Sequence, residues 1–144
     1  MNSAAPHHVF ALRVYYEDTD AAGIVYYANY FRFAERARTE LLRAHGSDHD
    51  TLKRRDGVAF AVRRCEAEYL KPARLDDSLE VHTRVTHVGG ATLDADQDIL
   101  RTGEVLTRLK VRLACVREDG KPARLPASLR RSLDDLTLHA DQPR

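Results

Sequence analysis

The regular alternation of apolar and polar residues in five segments constrains the fold of this chain more than any other feature. The clearest segment runs from Val105 to Cys115, where every second residue is apolar or Thr and the residues between include Arg108, Lys110 and Arg112. A period of two residues is typical of a β-strand with one buried face. Other segments of this kind lie at residues 10–16, 58–69, 79–85 and 93–99. The sequence therefore predicts about five strands.

Two local features predict how these strands run. Gly89-Gly90 is a turn signal between two of the segments, which predicts a hairpin. In the 58–69 segment the apolar positions change parity across Arg63-Arg64, which predicts a β-bulge or a strong bend.

One stretch has the periodicity of a long amphipathic helix. It lies between Asn29, which we expect to be the N-cap, and Gly46, which we expect to end the helix. The apolar residues on one face are Tyr30, Phe33, Ala34, Ala37, Leu41 and Ala44. We also expect a short second helix within residues 47–56 and a terminal helix over residues 126–138.

The order of these elements predicts an α+β fold in which the long helix covers one face of a strongly bent antiparallel sheet. At 144 residues we expect a single domain over 1–144, with its core at about 9–117 and a C-terminal tail at 118–144. An open sheet of five strands has two edges, and a dimer that joined two sheets edge to edge would remove one edge from each subunit.

The charge balance limits the partners that the chain can have. Lys and Arg total 23 and Asp and Glu total 22, so the net charge of +1 gives no general attraction for nucleic acid or anionic membrane. No apolar run approaches the ~20 residues that span a bilayer, and Met1–His8 lacks a secretory pattern. We expect a soluble, cytoplasmic protein with Cys65 and Cys115 as buried thiols.

Common catalytic motifs are missing from the sequence. It contains no GxSxG, GxxxxGK[ST], GxGxxG or HExxH pattern, which argues against serine hydrolases, P-loop enzymes and zincins. The His and Asp residues within the 45–50 segment could be drawn as a metal cluster, but we interpret them as solvated surface. The same interpretation applies to His7 and His8 near the N-terminus. We predict neither a metal nor a cofactor.

The loop from Asp18 to Gly23, between the first strand and the long helix, holds the residues best suited to chemistry. Unpaired N–H groups at a helix N-terminus favour an ionised carboxylate, which can act as nucleophile or general base. Those N–H groups can also polarise a carbonyl oxygen on which negative charge develops, and Gly23 allows close approach of a ligand. Because Asp is also common in turns, the residues alone leave a capping role and a catalytic role open.

The wider pattern around this loop resembles a known family. It comprises Tyr16-Glu-Asp-Thr-Asp-Ala-Ala-Gly-Ile-Val-Tyr-Tyr-Ala-Asn-Tyr30, Phe33-Ala-Glu-Arg-Ala-Arg-Thr-Glu40, Val62-Arg-Arg64, Glu68-Tyr69 and Pro72-Ala-Arg-Leu-Asp-Asp77. These motifs resemble the hotdog-fold acyl-CoA thioesterases, most of all their Tol-Pal-associated branch and more distantly the 4-hydroxybenzoyl-CoA thioesterases. The resemblance covers roughly Arg13 to Arg117.

The resemblance implies a hotdog fold, in which the sheet wraps around the long helix and the active sites lie at a dimer interface. It implies that Asp20 is the catalytic carboxylate, that Asp18 is structural, and that the backbone amide of Tyr27 polarises the thioester carbonyl. Many members of the Tol-Pal branch have His at the position of Tyr27, so a proton transfer by that His side chain does not carry over to this chain.

The resemblance also implies a site for the phosphates of coenzyme A. The turn from His87 to Ala91 lacks the basic residues that relatives often have there, so we assign this role to Arg63, Arg64 or Arg84.

The expected activity is hydrolysis of a fatty or aromatic acyl-CoA, with a carrier-protein thioester as a second candidate substrate. Asp20 acts either as nucleophile or as general base, and the protein forms a homodimer or homotetramer. A hotdog dehydratase is disfavoured because no His lies near Asp20 in the sequence. The alternative is a non-catalytic acyl-binding or scaffold module of a cell-envelope complex.

Overall fold

The computed structural model describes residues 5–140, with side chains through residue 138. Its strands are β1 (His8–Arg13), β2 (Val58–Tyr69), β3 (Ser78–Val88), β4 (Thr92–Arg101) and β5 (Glu104–Arg117). They form one antiparallel sheet of five strands in the order β1-β3-β4-β5-β2. The predicted hairpin is confirmed as β3–β4, and β1 and β2 are the edge strands of the single chain.

The predicted long helix is α1 (Asn29–Ala44), which packs against β1, β3 and β4. Its buried residues are those expected from the periodicity, except that Leu42 is buried and Ala44 is not. Gly46 follows the helix with a left-handed φ of 76°, as expected for a residue that ends a helix. The predicted N-cap was wrong, because Ala28 holds that position without a side-chain cap and Asn29 is the first helical residue.

The interior of the sheet has the predicted two-residue pattern. Every second residue of β3, β4 and β5 is buried over the predicted segments, apart from Val105, which is half-buried. Fully buried Gln97 is the main polar exception: its amide donates to the Ala34 carbonyl (2.9 Å) and to the Thr83 hydroxyl (3.0 Å), and its carbonyl accepts from Arg38 (3.0 Å). The helix and the sheet are therefore joined by hydrogen bonds as well as by apolar contact.

The irregularity predicted at Arg63-Arg64 is confirmed. The register between β2 and β5 shifts between Val62 and Arg64, so one residue of the edge strand is unmatched. Such a bulge bends a strand and increases its twist, which helps the sheet to curve over α1.

The first strand differs from its prediction at both ends. It stops at Arg13, and Tyr16–Asp18 forms a 3-10 turn. Tyr16 is consequently 83% exposed rather than on the buried face of a strand. The sequence predicts a longer strand because its apolar alternation continues to Tyr16, whereas backbone pairing with β3 ends at Arg13.

The expectation that His7 and His8 form a solvated terminus was also wrong. His8 belongs to β1, and the backbone N–H of His7 donates to the Thr83 carbonyl (2.8 Å). The ring Nδ1 of His7 accepts from the Val85 N–H (2.9 Å). These contacts form because β3 extends along the N-terminal segment and supplies an edge for it to join.

Two further helices lie outside the α1–sheet core. The short α2 (His49–Thr51) runs into a π-helical turn at Leu52–Asp56, which confirms the predicted short helix. The predicted terminal helix is α3 (Ala127–Ala140), which packs against β3. Because Leu129 and Leu133 are fully buried, the hydrophobic core continues beyond residue 117 into the segment that we treated as a tail.

Cys65 and Cys115 are free thiols, as predicted, the first partly buried and the second buried. Within residues 5–140 no helix is long and apolar enough to cross a bilayer. Two ranges lie outside the described part of the chain. Residues 1–4 belong to the N-terminal segment for which we expect no secretory signal, and residues 141–144 belong to the predicted tail.

Candidate active site

The acidic loop folds back on itself as a short two-stranded ladder. Thr19 pairs with Val25 in an antiparallel bridge, and the Asp20 N–H donates to the Ile24 carbonyl (2.9 Å). Gly23 makes the turn possible with a φ of 79°, a conformation that residues with a Cβ adopt only under strain. The ladder holds Asp20 at the tip of the loop.

The two aspartates of the loop have different environments. The Asp18 side chain is buried at 9% exposure, and its carboxylate accepts the Tyr15 N–H (2.8 Å). The Asp20 side chain is exposed, and the one contact its carboxylate makes within residues 5–140 is the Ala22 N–H (2.8 Å). Asp18 is thus engaged in holding the loop, whereas a carboxylate oxygen of Asp20 remains open to a ligand.

The amides just before α1 are unpaired among the described residues. The Tyr26 carbonyl accepts the Asn29 N–H (2.8 Å) and so lies along the start of the helix. In a trans peptide the N–H points opposite to the carbonyl, so the Tyr27 N–H points out of the helix N-terminus. Within residues 5–140 neither this N–H nor that of Ala28 donates a hydrogen bond. Unpaired amides at a helix N-terminus stabilise an oxygen with negative charge, and the assignment of this role to the Tyr27 amide stays a prediction.

Exposed aromatic rings surround these amides. The Tyr27 ring lies 4.9 Å from that of Tyr26 and 6.2 Å from that of Tyr69, the latter edge to face, as ring centroids. The three side chains are 46% (Tyr26), 59% (Tyr27) and 45% (Tyr69) exposed. The hydroxyl of Tyr69 also donates weakly to the Tyr27 carbonyl (3.5 Å). We call these three side chains the tyrosine rim (Tyr26, Tyr27, Tyr69).

The 70–77 segment braces the loop, a role that the sequence did not reveal. The Val25 N–H donates to the Ala73 carbonyl (2.8 Å), and the Ala73 N–H donates to the buried hydroxyl oxygen of Tyr30 (3.0 Å). The same segment is tied to β4 by an ion pair between Asp77 and Arg101 (2.8 Å). Burial is the largest single influence on Asp77 and raises its pKa, but the hydrogen bonds from Arg101 and the Arg74 N–H, with the charges of both arginines, together lower the pKa of that carboxyl.

The three arginines assigned to coenzyme A phosphates are not gathered around Asp20 within one chain. Arg63 lies at the bulge, and Arg64 pairs with Glu66 (2.8 Å) on β2. Arg63 is six residues before Tyr69, which is about 20 Å along a strand. Arg84 is on β3 and donates to the Ala5 carbonyl (3.4 Å). Their assignment stays a prediction.

The interpretation of the polar 45–50 segment as solvated surface was wrong for His45, whose half-buried ring contacts the Ser132 hydroxyl of α3. The Asp and His residues that follow His45 make contacts nearer in the chain. Asp48 caps α2 by accepting from the Thr51 backbone (3.3 Å) and hydroxyl (2.7 Å), and these bonds lower its pKa. The His49 ring contacts the Thr39 hydroxyl (3.0 Å), and Asp50 pairs with Arg54 (2.8 Å). Within residues 5–140 no group of His, Cys, Asp and Glu side chains is arranged to hold a metal ion.

Comparison with known proteins places the chain in a family. Residues 14–133 match the family model described as the thioesterase-like superfamily. The chain is 46% identical over 120 residues to the acyl-CoA thioester hydrolase YbgC of Escherichia coli O6:H1, covering 82% of this chain and 89% of that protein. It is also 46% identical over 107 residues to the acyl-CoA thioesterase YbgC of Haemophilus influenzae, covering 74% of this chain and 79% of the relative.

A solved structure supports the same placement. The crystal structure of a probable thioesterase from Bartonella henselae superposes with a TM-score of 0.81 at 40% sequence identity, covering 83% of this chain and 98% of that chain. The hotdog fold implied by the sequence motifs is confirmed by this match together with the α+β architecture described above. On the family match and these relatives, the chain belongs to the thioesterase-like superfamily.

Proposed function

We propose that the protein hydrolyses the thioester bond of an acyl-CoA, with Asp20 as the catalytic carboxylate. The observation that carries the proposal is the pairing, in one braced loop, of an exposed carboxylate with an unpaired backbone amide at a helix N-terminus. A thioester needs both groups, because its carbonyl carbon must be attacked while its oxygen gains negative charge. The acyl-CoA thioesterase names of the relatives agree with this assignment.

We assign the Tyr27 N–H as the oxyanion donor, because it points out of the α1 N-terminus and donates no hydrogen bond within residues 5–140. It would donate to the thioester oxygen as the carbon becomes tetrahedral, and the partial positive charge of the α1 N-terminus would act in the same direction. The backbone amide, and not the Tyr27 hydroxyl, performs this role, so Tyr in place of His at this position does not impair it.

Asp20 can act by either of two routes. As a nucleophile, its carboxylate oxygen bonds to the thioester carbon, the carbon–sulfur bond breaks, and coenzyme A leaves as a thiolate that is then protonated. Water next hydrolyses the mixed anhydride and releases the acid. As a general base, Asp20 instead removes a proton from the water molecule that attacks the thioester carbon. The open carboxylate oxygen of Asp20 is compatible with both routes.

The acyl group would lie against the tyrosine rim. These rings can pack against a fatty chain or against an aromatic ring, so both classes of acyl-CoA are candidate substrates. A carrier-protein thioester presents the same reacting group and remains a second candidate. We place the reaction in the cytoplasm, in a protein associated with the Tol-Pal system of the cell envelope, on the resemblance of the loop motifs alone.

A second copy of the chain would complete the site. β2 is a twelve-residue strand whose outer edge has no partner within the described chain. A groove of about 380 Å³ runs beside this edge between α1 and β2, with Leu42, Phe60 and Val62 among its lining residues. Pairing of two β2 edges would cover the groove and remove an exposed edge from each subunit. The arginines at positions 63, 64 and 84 could then reach a coenzyme A bound at the partner's loop.

A panel of acyl-CoAs tests the proposal. The purified protein is assayed for thiol release from short, medium and long aliphatic and from aromatic acyl-CoAs, with free coenzyme A quantified by a thiol reagent. We expect saturable hydrolysis of at least one class. Binding of acyl-CoA without turnover of any member of the panel would contradict the proposal and favour a non-catalytic acyl-binding module.

Isotope labelling tests for the nucleophilic route. A single turnover is run in water enriched in oxygen-18, and the peptide containing Asp20 is then analysed by mass spectrometry. Label in the Asp20 carboxylate indicates a mixed anhydride whose aspartyl carbon was attacked by water. Label confined to the product acid shows that water attacked the acyl carbon, either of the thioester or of a mixed anhydride.

A further inference from the structure

Asn29 begins the helix beside the candidate oxyanion site but does not cap it. Its side chain makes no cap bond, and its amide Nδ2 instead donates to the backbone carbonyl of Asp18 (2.9 Å), eleven residues earlier. An Asn at the start of a helix commonly accepts hydrogen bonds from the first free N–H groups. Here those N–H groups are left open while the side chain holds the acidic loop.

The bond from Asn29 closes a ring of three residues. The Asp18 carbonyl accepts both the Asn29 amide and the Tyr26 N–H (3.0 Å), and the Tyr26 carbonyl accepts the Asn29 N–H (2.8 Å). The N–H of Tyr26 is thus hydrogen-bonded to Asp18 and its carbonyl to Asn29, and these two residues are hydrogen-bonded to each other. The Tyr26–Tyr27 peptide, whose N–H is the candidate oxyanion donor, is fixed in direction by this ring.

We infer that Asn29 is a positioning residue for the Tyr27 amide, an inference that rests on the proposed thioesterase function. Asn29 reaches the reacting atoms only through the backbone, so its contribution is to hold the donor in its direction before the substrate arrives. Displacement of a catalytic group by about 1 Å can lower a rate by about 100-fold. Loss of the Asn29 side chain should therefore lower kcat while KM changes little.

Two substitutions at this position separate positioning from simple stabilisation. Asn29→Ala removes the donor to Asp18. Asn29→Asp also removes it, but places a carboxylate in the first turn of α1, where a negative charge favours the helix. That carboxylate would compete with the thioester oxygen for the free amides. The inference predicts that Asn29→Asp has the higher Tm of the two variants and the lower kcat.

Thr39→Ala is the matched control. Thr39 lies on the same helix and its hydroxyl also makes one side-chain hydrogen bond, to the His49 ring (3.0 Å), far from the acidic loop. We expect Asn29→Ala to lower kcat by about 10- to 100-fold, with KM within threefold of the parent protein. Thr39→Ala should keep kcat within threefold. Equal kcat values for these two variants, or kcat that follows Tm across all three, would overturn the inference.

A readout that does not need turnover separates this inference from the proposed function. The backbone amide resonances of Tyr27 and Ala28 are followed by NMR in the parent protein and the variants. We expect Asn29→Ala, and not Thr39→Ala, to shift or broaden both resonances. Unchanged resonances in Asn29→Ala would overturn the inference even if the protein is an active thioesterase. Shifted resonances in a protein that hydrolyses no thioester would contradict the proposed function but would support the role of the Asn29–Asp18 hydrogen bond in fixing the amide.

Discussion

At the scale of single residues, the site depends on which polar groups are used and which remain free. The carboxylate of Asp18 and the hydroxyl of Tyr30 are occupied by backbone N–H groups, so they hold the loop and the 70–77 segment in place. Asp20 and the Tyr27 amide keep capacity for a ligand. Asp18 and Asp20 are two residues apart and carry the same carboxylate. The difference between them therefore comes from burial and hydrogen bonding.

Removal of the Tyr30 hydroxyl tests the brace between α1 and the 70–77 segment. Burial raises the pKa of Tyr30, whose oxygen accepts the otherwise buried Ala73 N–H. Tyr30→Phe should lower the free energy of unfolding by about 1–3 kcal/mol, the cost of an unpaired buried donor. Urea denaturation followed by circular dichroism measures it. Tyr16→Phe, at an 83% exposed position, is the control, and equal midpoints for the two variants would contradict the brace.

The residue-level predictions from sequence succeeded where a pattern has one physical cause. Buried positions of β3, β4 and β5 followed from alternation, and the bulge at Arg63-Arg64 followed from a change of parity, because only one face of the sheet can enter the core. The apolar positions Val62 and Tyr69 of the edge strand β2 are instead exposed in the single chain. The role of Asn29 was missed because its partner, the Asp18 carbonyl, lies in a turn whose path the sequence does not specify. The brace by Asp77 and Arg101 joins distant segments and leaves no local signal.

At the scale of elements, the N-terminal strand, the end of α1 and α3 meet around three histidines. The His7 ring accepts the Val85 N–H, and the His45 ring contacts the Ser132 hydroxyl of α3. Among residues 5–140, Nε2 of His7 and Nδ1 of His8 are buried and have no hydrogen-bond partner. The elements joined here were the ones that the sequence described least well, because their apolar patterns are short and the histidines resemble surface residues.

This histidine contact predicts a loss of stability in mild acid. Burial, with the charges of Arg84 and His45, lowers the pKa of His7, and burial with His8 lowers that of His45. The unfolded chain therefore binds more protons than the folded one below about pH 6.5. The free energy of unfolding should decrease as the pH falls from that value towards the lowered pKa values, and stay level above it.

Urea titrations at pH 5, 6 and 7.5 measure this dependence. His45→Gln should reduce the slope of stability against pH because it removes one of the two groups whose pKa is lowered. His87→Gln, on an exposed position of β3, is the control and should keep the slope of the parent protein. A slope that is the same in the parent protein and in His45→Gln would show that the histidine contact does not cause the acid sensitivity.

At the scale of the whole molecule, the described residues of one chain supply the loop, the unpaired amides and the tyrosine rim. They leave the outer edge of β2 without a partner strand and the candidate phosphate-binding arginines apart. The α+β class could be predicted from the sequence because one long helix and five strands permit few arrangements, whereas the hotdog fold was implied by the resemblance of the loop motifs to a known family. The extent of the core could not be predicted from the sequence, because the leucines of α3 are too sparse to indicate burial before the helix is placed against β3.

The two edge strands offer a paired test of assembly. Val62 on β2 is 54% exposed and Val9 on β1 is 46% exposed in the single chain. A lysine disfavours edge-to-edge pairing, so Val62→Lys should convert a dimer or tetramer to a smaller species and lower the thioesterase rate, whereas Val9→Lys should do neither. Size-exclusion chromatography with light scattering measures the mass. A monomeric parent protein, or dissociation by Val9→Lys alone, would contradict assembly through β2.

The central claim is that Asp20 performs the chemistry, and single-turnover hydrolysis of the best acyl-CoA by Asp20→Asn tests it most directly. Asp76→Asn is the control, because Asp76 is an exposed aspartate with a left-handed φ of 68° that Asn also tolerates. We expect a rate about 10²–10⁴-fold lower for Asp20→Asn, with folding and acyl-CoA binding retained, and an unchanged rate for Asp76→Asn. A rate for Asp20→Asn within threefold of the parent protein would contradict the catalytic role of Asp20.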